Sequence, residues 1–427
     1  MEEQVCRRIE QILAEELIPA TGCTEPVSIA FAAAKARQLL GREPERLLVE
    51  VSGNILKNVK SVVVPHTGGL RGIRAAALAG ALVGDAGAEL EVLSRPTPEQ
   101  IDTLAPALER IPVEVRFADT PHIFDIMISA FAGEDSAFVR IAGHHTNLVC
   151  LRRNGETLLE TPLDEPKGSE AGRDILTVER IADYAEHADL APVAPLLERQ
   201  IAYNMAIAEE GLRHPYGANI GKTLLHGHED CLDYKMRAYA AAASDARMNG
   251  CELPVVINSG SGNQGITTSV PVIVYAREKG LGQEELLRAL AAANLVTIHM
   301  KTGIGRLSAY CGAVSAGCGA AAGIAWLQGG RFHHIAHVIV NAAAITSGIV
   351  CDGAKASCAA KIASAVDAGL LALDMYRDGN QFYGGEGIVK KGVENTIANV
   401  GRLARFGMEQ TDREILRLML DSDAPAK

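Results

Sequence analysis

The opening residues, MEEQVCRRIEQILAEELI, interleave apolar and charged side chains at helical spacing and read as an amphipathic helix. The next apolar block, ATGCTEPVSIAFAAAKARQLLG, predicts a second helix, with Thr21 or Thr24 to cap it, Pro26 in its first turn and Gly41 to close it. Residues 47–65 carry short β-branched runs around Gly53-Asn54, and the turn His66-Thr67-Gly68-Gly69 opens an Ala-rich helix over 70–84. Near residue 88 the pattern changes. ELEVLS reads as a strand, 97–109 as a helix, and VEVRFAD, SAFVRIAG and NLVCLRRNGETLLE as further strands, with Asn154-Gly155 marking a hairpin. TPLDEPKGSEAGRD, rich in charge, Pro and Gly, reads as an exit linker. From 175 onward the spacing is helical, broken at PVVINSGSGNQG (254–265).

These elements predict a predominantly α-helical α+β chain. A discontinuous helical domain built from 1–86 and 171–427 would carry the chemistry, with a small α/β domain inserted at 87–170. Two stretches without charge, 307–330 and 335–351, raise the question of a membrane. The first is Gly, Ala and Ser with hardly any Leu or Ile, and the second holds His337, Asn341, Thr346 and Ser347, so both read as buried helices.

Composition sharpens this picture. Of 427 residues, 48% are hydrophobic and 22% charged, which excludes a disordered chain. A net charge of −11 argues against nucleic acid or an anionic membrane as partner. Aromatics are only 4% while Gly numbers 42, so the core must pack small residues with backbones close together, and such flat helices suit a homodimer. The start has no basic-then-apolar leader, so a cytoplasmic protein with reduced cysteines is expected.

Three segments could carry chemistry. Gly260 to Gly265 matches G-x-G-x-x-G, but Pro271 falls inside the helix that a dinucleotide site would need, and no βαβ alternation surrounds it. A turn whose N–H groups meet a small carboxylate, or a plain structural turn, fits better. Cys23, Cys311, Cys318, Cys351 and Cys358 differ from Cys6, Cys150, Cys231 and Cys251 in lying among Gly, Ala, Ser and Thr. Cys351 and Cys358, seven positions apart, converge only if Cys351 lies in a turn and a helix begins near Ala354, which would favour the Cys351 thiolate. That spacing supports a metal site only weakly. In Thr21-Gly22-Cys23-Thr24-Glu25-Pro26, a cysteine entering a helix should have a lowered pKa and could serve as base or nucleophile; a buried capping segment reads equally well.

The chain resembles L-cysteine desulfidase and its relatives, akin to the alpha chain of iron–sulfur L-serine dehydratases. The resemblance rests on TGCTEP, LKNVKSVVVPHTGGLRGI, GHHTNLVCLRRNGE, GSGNQGI, KTGIGRLSAYCGAVSAGCGA and GIVCDGAKASCAAKIASA, and runs along nearly the whole chain. It implies a [4Fe–4S] cluster held by Cys311, Cys351 and Cys358, with Cys23 as proton acceptor and no pyridoxal phosphate. Three thiolates leave one iron open as a Lewis acid, able to bind the carboxylate and the β-leaving group of an amino acid. The implied reaction converts L-cysteine to pyruvate, ammonia and sulfide, with L-serine, or simple amino-acid binding without metal, as alternatives. Asn54, Lys57, Asn58, Ser259, Ser261 and Asn263 are candidate substrate contacts.

Overall fold

A computed structural model describes residues 2–60, 62–163, 172–305 and 308–421. The central part of the expected linker, Ser61 of LKNVKS, and Arg306 and Leu307 of KTGIGRLSAYC lie outside the described residues. The first two helices form at Glu3–Glu16 and Thr24–Leu40, and Gly41 ends the second in the left-handed conformation, φ 81°. Neither threonine caps the second helix. Cys23 occupies that position and makes no side-chain capping bond.

Two sheets form. β1 (Pro19–Thr21) pairs antiparallel with β8 (Pro254–Val256). The larger sheet uses β2 (Arg46–Val51), β3 (Val113–Phe117), β4 (Asp125–Ala132), β5 (Asp135–Ala142), β6 (Leu148–Arg153) and β7 (Glu156–Glu160), in the order β3-β2-β4-β5-β6-β7. Only β2 and β3 run parallel. Asn154 and Gly155 both adopt positive φ, 49° and 83°, as a tight β6–β7 hairpin requires. Because β2 comes from 46–51, the sheet draws on chain well ahead of residue 87.

Three local readings change. ELEVLS is a 3-10 turn at Glu89–Glu91, because the Asp85 carboxylate accepts from Gly87 N–H at 2.9 Å and bends the chain before a strand can start. Gly53–Val59 is a helix that ends the β-branched run. β4, where the sequence pattern predicts no strand, lies between β2 and β5 with alternate residues buried.

The rest is helix upon helix. Gly312–Leu327 is almost entirely buried and packs against Gly262–Glu278, Gln283–Ile304, Phe332–Thr346 and Cys358–Arg377. Small residues permit this: a Cβ at Gly80 would lie 2.0 Å from Ala30 O, on the neighbouring Thr24–Leu40 helix. Among the described residues no helix is long and apolar enough to cross a membrane. The fold is a predominantly helical α+β one.

Candidate functional site

Tyr310 and Val350 form an antiparallel bridge, closed by Cys311 N–H to Ile349 O (3.1 Å) and Cys351 N–H to Ala309 O (2.6 Å). Side chains alternate along such a ribbon, so Cys311 and Cys351 share the face opposite Tyr310. Cys311 then caps Gly312–Leu327, and Cys358 begins Cys358–Arg377. The expected helix start near Ala354 is thus corrected: Cys358, not Cys351, stands at the helix N-terminus. The reason is the turn between them. Asp352 is gripped by Lys355 and Lys361, Lys361 Nζ also donates to Val350 O (2.9 Å), and Gly353, φ 96°, sits where a Cβ would be 2.5 Å from Lys57 O.

Electrostatics couples the three sulfurs. Burial first, then the neighbouring Cys351 and Cys358, push the Cys311 thiol up to about 12 against the opposing pull of the Ala313 backbone and Lys361. Cys358 is raised for the same reasons, with Lys361 and Arg247 opposing. Yet among the described residues no group of three or more His, Cys, Asp or Glu side chains stands close enough to hold a metal ion. The trio is a set of neighbours rather than a closed cage. As donors the three suit thiolate-bound iron: half-buried sulfurs that repel one another, beside an ammonium that would offset negative charge.

Cys23 is buried and behaves differently. Its S–H donates to Glu25 Oε2 at 3.2 Å, and Asn58 Nδ2 donates to Glu25 Oε1 at 3.0 Å. The Thr24 hydroxyl lies 3.0 Å from Glu25 Oε2 and 3.2 Å from Gly260 O. The expected lowering of the Cys23 pKa does not occur. Burial above all, then the Glu25 charge, holds the thiol well above its ordinary value, and Arg247 only partly opposes them. Burial works against the Glu25 carboxylate too, but His145, the Cys23 hydrogen bond and Arg247 outweigh it and keep its pKa low.

The remaining candidates divide. Asn54 Nδ2 and Lys57 Nζ both bind Asp412 of the Glu409–Asp421 helix, at 2.8 and 2.5 Å, and Lys57 also reaches Cys351 O at 3.4 Å. Asn58 serves Glu25. Ser259 Oγ donates to Asn258 Oδ1 at 2.8 Å, with its backbone in the left-handed region, φ 50°. Ser261 caps Gly262–Glu278 without a side-chain bond, and Asn263 Oδ1 accepts from Arg247 Nη1 at 3.1 Å. Among the described residues the strand before this turn pairs only with β1, antiparallel, and no parallel βαβ unit surrounds the glycines. Two surface clefts, one beside Arg37, Arg42 and Asp85 and one beside Phe332, His337 and Tyr383, are lined by none of these residues.

Sequence reasoning missed Glu25 and Arg247 as functional groups. Glu25 was visible inside TGCTEP, two positions from the thiol that it binds. Arg247, in ASDARMNG, had no local signal; only the fold brings its charge to bear on Cys23, Glu25 and Cys358 at once.

A helical chain that gathers thiols near helix starts and pairs a buried thiol with a carboxylate is laid out for chemistry on a small polar molecule. Residues 74–417 match the family model for the serine dehydratase alpha chain. The chain is 53% identical over 411 residues to a UPF0597 protein of Desulfitobacterium hafniense, covering 96% of each. It is 48% identical to one from Lachnoclostridium phytofermentans, covering 97% of this chain and 100% of the relative. The corresponding figure for Fusobacterium nucleatum is 42%, over 98% and 99%. The chain belongs to the serine dehydratase alpha chain family, and so to lyases of the serine dehydratase type. The match spans Cys311, Cys351 and Cys358 and begins after Cys23.

Proposed function

We propose that this chain is a β-eliminating lyase of L-cysteine desulfidase type, converting L-cysteine to pyruvate, ammonia and sulfide, with L-serine as the alternative substrate. The observation that carries the reading is the Cys23–Glu25 hydrogen bond in a chain whose three late thiols neighbour one another, with the Arg247 charge acting on both Cys23 and Cys358. A [4Fe–4S] cluster, which Cys311, Cys351 and Cys358 would hold, supplies Lewis-acid activation of the β-leaving group.

The proton chemistry belongs to the chain. At neutral pH the pair is Cys–SH hydrogen-bonded to a carboxylate, because a buried thiolate beside that carboxylate is unfavourable. Cys23 Sγ takes the Cα proton as its own proton passes to Glu25 Oε2, so the pair goes from one negative charge to none. Asn58 fixes Glu25 from the other side. Loss of the β-substituent leaves aminoacrylate, which tautomerises and takes up water to give pyruvate and ammonia.

Anaerobic reconstitution followed by side-by-side assays tests this. Pyruvate and equimolar sulfide should form from L-cysteine, and pyruvate more slowly from L-serine. Protein that retains iron and labile sulfide yet makes no pyruvate from either substrate, or that retains no iron at all, would overturn the reading.

A further inference from the structure

Arg247 sits near the end of the Leu232–Met248 helix and is 4% exposed. Its only hydrogen bond among the described residues is Nη1 to Asn263 Oδ1, and its buried Nε has no partner. No carboxylate of the described residues lies within ion-pair distance of it, whereas the similarly buried Arg173 and Lys57 pair with Glu16 and Asp412. A guanidinium offers five donors, and burying one with a single bond is costly unless an anion arrives to meet it.

The surroundings say where that anion would sit. A Cβ at Gly262 would lie 2.3 Å from Arg247 Nε, so the guanidinium crosses the first residue of the Gly262–Glu278 helix. That helix is 17 residues long, Ser261 makes no side-chain capping bond, and its first N–H groups have no acceptor within the helix. Two buried acceptors lie nearby without partners: Gln264 Oε1 and Asn58 Oδ1. A Cβ at Gly312, next to Cys311, would lie 2.6 Å from Gln264 Oε1, while Asn58 is bonded to the Glu25 that holds Cys23.

We propose that Arg247 and the N-terminus of the Gly262–Glu278 helix form a carboxylate clamp, with Gln264 Oε1 and Asn58 Oδ1 receiving the ammonium, so that the site takes a small α-amino acid as its zwitterion. The inference rests on the lyase reading only for the position of the ligand between Cys23 and Cys311. A buried cation with unspent donors on one side and buried acceptors on the other matches both charges of that ligand class.

Calorimetric titration of the anaerobically reconstituted protein with L-alanine, which has no β-leaving group and does not turn over, tests the clamp; L-alaninamide, which lacks the carboxylate, is the control. Arg247→Gln should weaken L-alanine binding by about 30-fold, the loss of one charged, multiply bonded pair. Arg247→Lys should lose less, and Gly262→Ala, whose methyl displaces the guanidinium, should fall between them. L-alaninamide should bind weakly and equally to wild type and Arg247→Gln. The clamp is refuted if wild type fails to bind L-alanine, if it prefers the amide, or if Arg247→Gln binds L-alanine within about threefold of wild type. Should Arg247→Gln not fold, Arg247→Lys and Gly262→Ala decide the matter by the same criterion. Pyruvate formation is measured separately. Arg247-dependent binding without pyruvate sinks the lyase alone, and pyruvate with Arg247-independent binding sinks the clamp alone.

Discussion

Cys311 and Cys23 each stand in the N-cap position of a buried, Ala-rich helix, and burial raises the pKa of both thiols. Their second neighbours separate them. Around Cys311 the next largest influence is another sulfur, Cys351, with an ammonium, Lys361, in opposition. Around Cys23 it is a carboxylate that accepts the thiol proton. A thiol raised by other thiols is relieved when a cation replaces the protons, because the same crowding then becomes coordination. A thiol raised by a carboxylate gains nothing that way; its proton is already directed along one hydrogen bond. A helix N-terminus therefore does not by itself make a reactive cysteine, since the neighbour decides between ligand and proton carrier.

Breaking each region should give a different loss. Cys311→Ala is expected to abolish both iron retention and pyruvate formation, measured as iron and labile sulfide per chain after anaerobic reconstitution. Cys23→Ala should keep full iron and sulfide while turnover falls about 10²–10⁴-fold, the usual worth of a positioned acid–base group. If Cys23→Ala loses its iron, or Cys311→Ala keeps it, the division between the two regions is wrong.

Glu25→Gln sharpens the contrast without removing a sulfur. It deletes the second-largest influence that holds Cys23 protonated, so the Cys23 pKa should fall and the pH profile of its alkylation by iodoacetamide should move to lower pH. Turnover should drop nonetheless, because the sulfur loses the acceptor for its proton. A profile that stays in place or moves to higher pH would show that the Glu25 charge is not what raises the thiol.

Much of this was legible in the sequence, and the failures have physical causes. The helix end at Gly41 was legible from its glycine. The helix read at 97–109 forms at Pro98–Arg110, where Thr97 and Gln100 make a reciprocal capping box, whereas the caps read at Thr21 or Thr24 did not form. The strand read at 89–94 failed because one side chain–backbone bond from Asp85 outweighed β propensity. Small-residue settings set five cysteines apart, Cys23, Cys311, Cys318, Cys351 and Cys358, and only the family resemblance divided them by role. The sign of the Cys23 shift was not legible, since desolvation and a carboxylate two positions away overrode the helix dipole. Asn54 and Lys57 looked like substrate contacts, yet their partner is Asp412, 355 positions beyond Lys57. Arg247 was invisible for the complementary reason: its meaning lies in the lack of a partner, which only a folded chain reveals.

Cys318 provides the control that neither region contains. It is buried within Gly312–Leu327, and its pKa is pushed up to about 12 by burial, with neither a carboxylate nor another thiol among the causes. Its effect on stability has a definite sign. The unfolded thiol ionises near 9.0 while the folded one stays protonated, so its contribution is fully present below pH 9 and is lost as pH rises through the window from 9 toward 12. At pH 10 a single such thiol lowers the unfolding free energy by about 1.4 kcal/mol relative to neutral pH, one pH unit of linkage. Cys318→Ala changes stability at pH 7 through packing alone, but it should flatten the fall between pH 8 and 10 by about that amount, measured by urea unfolding of metal-free protein at each pH. Equal falls for wild type and Cys318→Ala would mean that this thiol ionises in the fold as freely as in water. Burial would then not be the common origin of the raised thiols, and the distinction between Cys311 and Cys23 would lose the baseline from which both are measured.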